Sequence, residues 1–279
     1  MSMKLSVILV SHNSRILLKQ AIESVVDACK GIDHEIIVID NNSSDRSIEM
    51  LANNFQGLTV VANETDMGIT YAQNQGMQQA AGEYVLLLGA DTITIKDSVE
   101  KMVGFMDEHA NAGGMTVRML SPEGRFMPES IHGLTNTWGA FLKLIGFAKY
   151  LSKTRLYDRN RKDWVEEFQV SEIDIINGAC MMLRKSALNE TGLFDKRFFT
   201  FGADIDLSYR LRLAGFKNYY FPKTYIIKYE RLGQEKFSWD YVRYYYGAMF
   251  TFAVKYLIKV PEIKVKGMPQ LFPPTYEIK

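Results

Sequence analysis

The chain has 279 residues, 47% hydrophobic and 23% charged, a globular balance that excludes a disordered or fibrous polypeptide. Its 33 basic and 32 acidic side chains leave a net charge of +1, which gives no electrostatic reason to expect nucleic acid as a partner. Two cysteines, Cys29 and Cys180, cannot build a disulfide framework, and neither a signal-peptide stretch nor a run of about 18 apolar residues occurs, so a soluble cytoplasmic protein is expected.

In chain order, residues 5–10 form a short β-branched strand that ends in Ser11, His12, Asn13 and Ser14. Ser14 is placed to cap a helix to about residue 29, with Leu17, Leu18, Ala21, Ile22, Val25 and Val26 on one face. Residues 35–40 are an almost wholly apolar strand, as expected where helices cover both sheet faces. Ser44 or Asp45 then caps a helix to about residue 53, residues 58–61 read as a third strand, 70–80 as a helix and 84–88 as a fourth strand. Repeated βα units with short links predict a doubly wound, mostly parallel sheet.

Beyond Asp91 the rhythm loosens. A helix is expected over about 95–108 and a strand near 115–118. Residues 121–169 read as a long excursion, with an apolar patch at 141–147 and a charged stretch at about 155–162. Strand character returns over 173–183, followed by a helix near 206–214, a strand at 218–221, and a long helix over 239–259. Pro261, Pro269, Pro273 and Pro274 mark the tail as an arm.

In open α/β sheets, ligands gather at the carboxyl ends of strands. Three strands here end in polar text: Ser11-His12-Asn13, the run from Asp40 to Asp45, and Gly89-Ala90-Asp91-Thr92. Asp40 and Asp91 directly follow hydrophobic strands, where a carboxylate can hold ribose, a base edge or a metal carrying phosphates. Turn formation or capping accounts for each of them equally well. Asp204 and Asp206 follow the aromatic loop 192–202 at a helix start. The helix N-terminus stabilises Asp204 as the anion, which suits a general base, whereas Asp206 reads as a first-turn acid.

Taken together, these segments are recognisable. The strand at 6–10 with Ser11-His12-Asn13-Ser14, the run from Val38 to Asp45, Asn63 with Gly68 and Asn74-Gln75-Gly76, the strand from Gly82 to Asp91, the run from Asn177 to Arg184 and the stretch 194–213 follow in order over about residues 5–228. They resemble the inverting nucleotide-sugar glycosyltransferases of family 2, in the branch with bacterial rhamnosyltransferases and other cell-surface polysaccharide enzymes. The resemblance implies an α/β GT-A fold: a doubly wound, mostly parallel sheet with helices on both faces. It places a transferase domain at 1–230, with a nucleotide-binding half to about 118 and an acceptor half over 119–230, followed by a C-terminal helix and proline-containing tail at 231–279. The implied reaction moves a sugar, with inversion, from a nucleotide-diphosphate sugar to a saccharide or lipid-linked saccharide, in the cytoplasm or at the inner face of the cell membrane. The alternative is a weakly active or inactive relative that binds nucleotide or a partner protein.

Carried over by position, the resemblance makes Ser11, Asn13, Asp40, Asn42, Asn74 and Asp91 the donor-binding set. Asn177, Gly178 and Ala179 line the donor sugar or acceptor, and Asp204 is the base. Asp91 is the last acid of a DxD-type motif that holds Mg or Mn in relatives. Three positions depart from the pattern: Gly89 replaces the first acid, Ala203 a glutamate, and Lys228 a metal-binding histidine. A protonated lysine has no lone pair for a metal. Finally, Tyr241, Tyr244, Tyr245, Ala248, Met249, Phe252 and Tyr256 recur at helical spacing, a stripe that reads as core or homodimer contact, with peripheral membrane association as the other reading.

Overall fold

The computed structural model describes residues 3–132, 167–229 and 239–257. Four parallel strands form its N-terminal half, β1 (Leu5–Ser11), β2 (His34–Asp40), β3 (Thr59–Ala62) and β4 (Tyr84–Gly89), in the order β3-β2-β1-β4. Their links are α1 (Arg15–Ala28), α2 (Ser47–Asn54) and α3 (Ile69–Gln79). Then follow β5 (Thr92–Thr94), α4 (Ser98–Glu108), β6 (Ala112–Leu120), α5 (Glu129–His132), β7 (Ser171–Ile173), β8 (Cys180–Arg184), α6 (Lys185–Thr191), α7 (Ala203–Leu213), β9 (Lys217–Lys228) and α8 (Trp239–Leu257). They extend the sheet as β4-β8-β6-β9-β5, with β7 on β9, to nine strands. β8 runs antiparallel to β4 and β6, while β9 is parallel to β6.

Two cores result from alternation along buried strands. Val7, Leu9, Val38 and Leu86 pack with α1, α2 and α4, whereas Ile8, Ile37, Ile39 and Leu87 pack with α3, α6, α7 and α8. Both faces of the sheet are therefore covered, as the continuous apolar runs required. Cys29 and Cys180 are buried and unpaired, and burial pushes both thiols up to about 12. No helix among the described residues is long and apolar enough to cross a membrane.

Several expectations shift. Ser14 stands at the N-cap of α1 but donates its hydroxyl to the His12 carbonyl, and the Arg15 N–H is met by Asp45 Oδ2 at 2.7 Å instead. The run 173–183 is not one strand: β7 and β8 are separated by residues 174–179, where Asn177 Oδ1 accepts from Ala179 N–H and turns the chain. β9 is far longer than residues 218–221 because it continues past Pro222, which cannot donate to the ladder. The β6–β9 register slips there, from Val117↔Phe221 to Arg118↔Tyr225, and the strand resumes pairing. β5 and α6 were not expected at all. The segments 141–147 and 155–162, Lys259 and the tail prolines lie outside the described residues.

The stripe on α8 is largely core, since Tyr245, Ala248, Met249 and Phe252 are buried against the α7 side of the sheet. Ion pairs fix the same helix. Asp206, fully buried on α7, accepts from Arg210 Nε at 2.9 Å, Lys255 Nζ at 2.6 Å and the Tyr256 hydroxyl at 2.6 Å. Arg210 in turn donates to the Thr191, Gly192 and Leu193 carbonyls. Asp195 joins through Arg197 and Lys255; burial raises its carboxyl, but those two donors outweigh burial and hold it well below the ordinary range. Removing one member strands buried charge. Asp206→Ala is expected to lower the unfolding free energy by about 3–5 kcal/mol in urea titrations.

Candidate active site

Parallel register decides what meets what. Ser11 pairs with Asp40 and Val10 with Gly89, so the polar ends of β1, β2 and β4 share one edge. Leu88 pairs with Cys180 in the antiparallel partner, which brings residues 177–179 to that edge, and Gly89 N–H donates to the Ala179 carbonyl at 3.0 Å. Thr92 pairs with Lys228, placing the end of β9 there too.

Where β1 and β2 end, two buried polar atoms have no hydrogen-bond partner, Ser11 Oγ and Asp40 Oδ1. The other Asp40 oxygen accepts from Ser43 N–H at 2.9 Å, and the residue is 2% exposed. Other buried oxygens without a hydrogen-bond partner, such as Thr116 Oγ1 and Thr224 Oγ1, are scattered through the chain, whereas these two stand on paired residues at the carboxyl ends of adjacent strands, where a ligand can complete the bonding. Asn13 and Asn42 both adopt left-handed backbone, at φ 49° and 64°, as asparagine tolerates. Asn13 ties the first two loops together: its Oδ1 accepts from Ser44 N–H at 2.8 Å, and its own N–H donates to Ser43 Oγ at 2.9 Å. Asn42 is exposed at the rim.

Asn74 is placed differently from the sequence-based expectation of a donor contact. It is buried in α3, and its amide donates to the Phe194 carbonyl at 2.8 Å and accepts from the Phe194 N–H at 3.0 Å. Both ends of that amide are spent on positioning the aromatic loop. Sequence reasoning missed Asn41, which is buried and gathers Asp66, Asn63 and the Met67 N–H around the second loop. Its signal was only its place directly after Asp40. Gly68, at φ 78°, lets the Phe199 ring approach to 2.7 Å of where a Cβ would stand, and Phe199 stacks on Tyr244 of α8 at 4.7 Å.

Across the edge, Asp204 occupies the first turn of α7. Its Oδ1 accepts from Ile205 N–H at 2.9 Å and its Oδ2 from Gly178 N–H at 3.3 Å. Gly178 closes on it, since a Cβ there would stand 3.3 Å from Asp204 Oδ2. Burial pushes the carboxyl up, and the two backbone donors recover only part of that cost. Asn177 is held by the Glu129 carbonyl, and Ala179 by Asn177 Oδ1. Asp204 and Asp206, two positions apart, face opposite ways: one to the site, one into the ion-pair cluster.

At the end of β4, Lys228 Nζ lies 3.2 Å from both oxygens of Asp91. The Asp91 carboxylate rests where a side chain at position 89 would be, with Oδ1 2.6 Å from the point a Cβ on Gly89 would take.

A family model described as Glycosyl transferase family 2 matches residues 6–192, more than half of the chain. The chain belongs to that family. It is 22% identical over 204 residues to an N-acetylglucosaminyl-diphospho-decaprenol L-rhamnosyltransferase of Mycobacterium tuberculosis, covering 69% of this chain and 65% of that one. The S. aureus TarS 1–349 structure in complex with UDP-GlcNAc superposes with a TM-score of 0.62 at 20% identity, over 90% of this chain and 66% of the other. A Pyrobaculum calidifontis mannosyltransferase in complex with GDP-Man and Mn2+ gives 0.57 at 15% identity, over 83% and 58%. These likenesses establish the mixed α/β GT-A fold, with the family 2 chain spanning less than two-thirds of the curated relative.

The raised Asp204 carboxyl has a thermodynamic consequence. The folded chain binds its proton more tightly than the unfolded chain, so stability falls as pH rises from about 4, the unfolded carboxylate value, through the folded value. Asp204→Asn removes that loss. The variant is expected to match the parent at acid pH and to melt higher at neutral pH, as differential scanning calorimetry across pH will show.

Proposed function

We propose that this chain is the transferase unit of an inverting glycosyltransferase, taking a sugar from a nucleotide-diphosphate sugar to a saccharide or lipid-linked saccharide of the cell envelope. The observation that carries the reading is the pair of unpartnered buried atoms, Ser11 Oγ and Asp40 Oδ1, on the same sheet edge as an Asp204 whose carboxyl burial makes more basic. The nucleoside docks on Ser11 and Asp40, within loops braced by Asn13 and rimmed by Asn42. The donor sugar and acceptor lie along residues 177–179. Asp204 removes the proton from the acceptor hydroxyl as that oxygen attacks the anomeric carbon; the bond to the diphosphate breaks on the opposite face and the diphosphate leaves with its electron pair. The Gly178 and Ile205 N–H groups hold the carboxylate in one orientation for that transfer.

The proposed setting is the cytoplasmic face of the membrane, where a lipid-linked acceptor is presented. In support, α8 leaves Trp239, Arg243, Tyr246 and Phe250 exposed in one stripe opposite its buried face. A second reading, a nucleotide-binding relative without turnover, is favoured by one observation: Asp91 is engaged by Lys228.

Thermal-shift measurements with UDP-, dTDP- and GDP-sugars identify the donor, since a ligand at about 100 times its Kd adds roughly 2.7 kcal/mol. Asp40→Ala is expected to weaken binding of that donor by about tenfold or more in calorimetric titration, with the melting temperature of the free protein retained. Asp204→Asn is expected to cut turnover by about 10²–10⁴-fold with donor affinity unchanged, and parent turnover to rise along an acid limb centred above about 4. Nucleotide binding with no turnover in the parent supports the second reading.

A further inference from the structure

The end of β4 offers poor chemistry for a divalent cation. Among the described residues, no three His, Cys, Asp or Glu side chains converge on one point. Asp91 is the acid that follows β4, and a lysine ammonium already sits on both of its oxygens. The pairing is built in. β5 runs antiparallel to β9 with Thr92 opposite Lys228, and Tyr229 N–H donates to the Asp91 carbonyl at 2.8 Å, so the end of β9 is pinned to the Asp91 backbone as well as to its side chain. Gly89 completes the arrangement. The carboxylate of Asp91 occupies the volume next to its α-carbon, so a second acid at position 89 would require that carboxylate to shift from its observed place. A dication brought here meets a fixed positive charge at contact distance instead of a second ligand.

We propose that Lys228 supplies the positive charge for the donor diphosphate, and that nucleotide binding at this site is independent of divalent metal. The inference rests on the nucleotide-sugar reading given above. An ammonium has three N–H donors. Asp91 orients the group through two of them, and the Lys228 side chain keeps 26% of its surface exposed for a phosphate oxygen. Lysine is a common phosphate binder that acts as a point charge, without the bidentate geometry of arginine. As the sugar departs, charge grows on the diphosphate beside the same ammonium, which stabilises it without reorganisation. The Pyrobaculum neighbour, by contrast, was captured with Mn2+ and GDP-Man.

The test is calorimetric titration of the whole chain with UDP, dTDP and GDP in turn, in manganese and in EDTA. The nucleotide that binds is expected to keep its affinity within about threefold between the two buffers. Lys228→Gln should lose roughly 10- to 100-fold in EDTA, and Lys228→Arg should recover most of it. Circular dichroism of each variant confirms the fold, and the parent comparison needs no variant. A parent that loses tenfold or more in EDTA overturns the inference alone and leaves the donor reading intact. Unchanged EDTA affinity in folded Lys228→Gln overturns it as well. A folded parent that binds none of the three nucleotides in either buffer overturns both.

Discussion

The site depends first on parallel register between β1 and its two neighbours. Ser11 lies opposite Asp40 and Val10 opposite Gly89, so three strand ends terminate at one level. A slip of one residue would turn Ile8 and Ile37 toward the wrong core and carry the polar ends out of line together. Register is held by burial on both faces, which makes the hydrophobic core the positioning device for the chemistry. The antiparallel β8 then delivers the Gly178 loop to the same level from the other direction.

Onto that edge the second half of the chain adds a differently organised layer. Here polar contacts of long sequence separation carry the positioning. Asn74 grips the main chain of Phe194, 120 residues away, and Asp91 grips Lys228, 137 away. Such contacts cost more ordering entropy than local ones and persist because they are partly or wholly withdrawn from water. The cost shows at Asp204, whose carboxyl is kept in an environment that disfavours its charge.

The N-terminal half was legible because buried parallel strands are written as unbroken apolar runs, such as residues 35–40, and their polar ends stand out by contrast. The region 173–183 looked similar, yet it holds a turn stabilised by Asn177 that no periodicity announces. The length of β9 was hidden by Pro222, which locally means strand end but is accommodated by a register slip against β6. Asp204 and Asp206 separate as helix geometry requires, since positions two apart cannot face the same way: one carboxylate meets Gly178 N–H and the other the Lys255 and Tyr256 donors. Asn74 misled because the family pattern records that an asparagine stands there, not which atoms it bonds. Lys228 stands beside Asp91, as its place at the family's metal-binding histidine implied, and the β5–β9 pairing shows how the backbone brings the two together.

The buried cluster on Asp206 carries a consequence for how such chains diversify. Its partners come from three places, Arg210 on α7, Lys255 with the neutral Tyr256 hydroxyl on α8, and Asp195 with Arg197 in the aromatic loop. The C-terminal helix is therefore not an interchangeable module. A chimera that imports α8 from another family member without a matching acid and base leaves unneutralised charge beneath the loop that leads to Asp204. Inheritance of this helix and of that loop must go together, so substitutions in the two are expected to travel as a single evolutionary block.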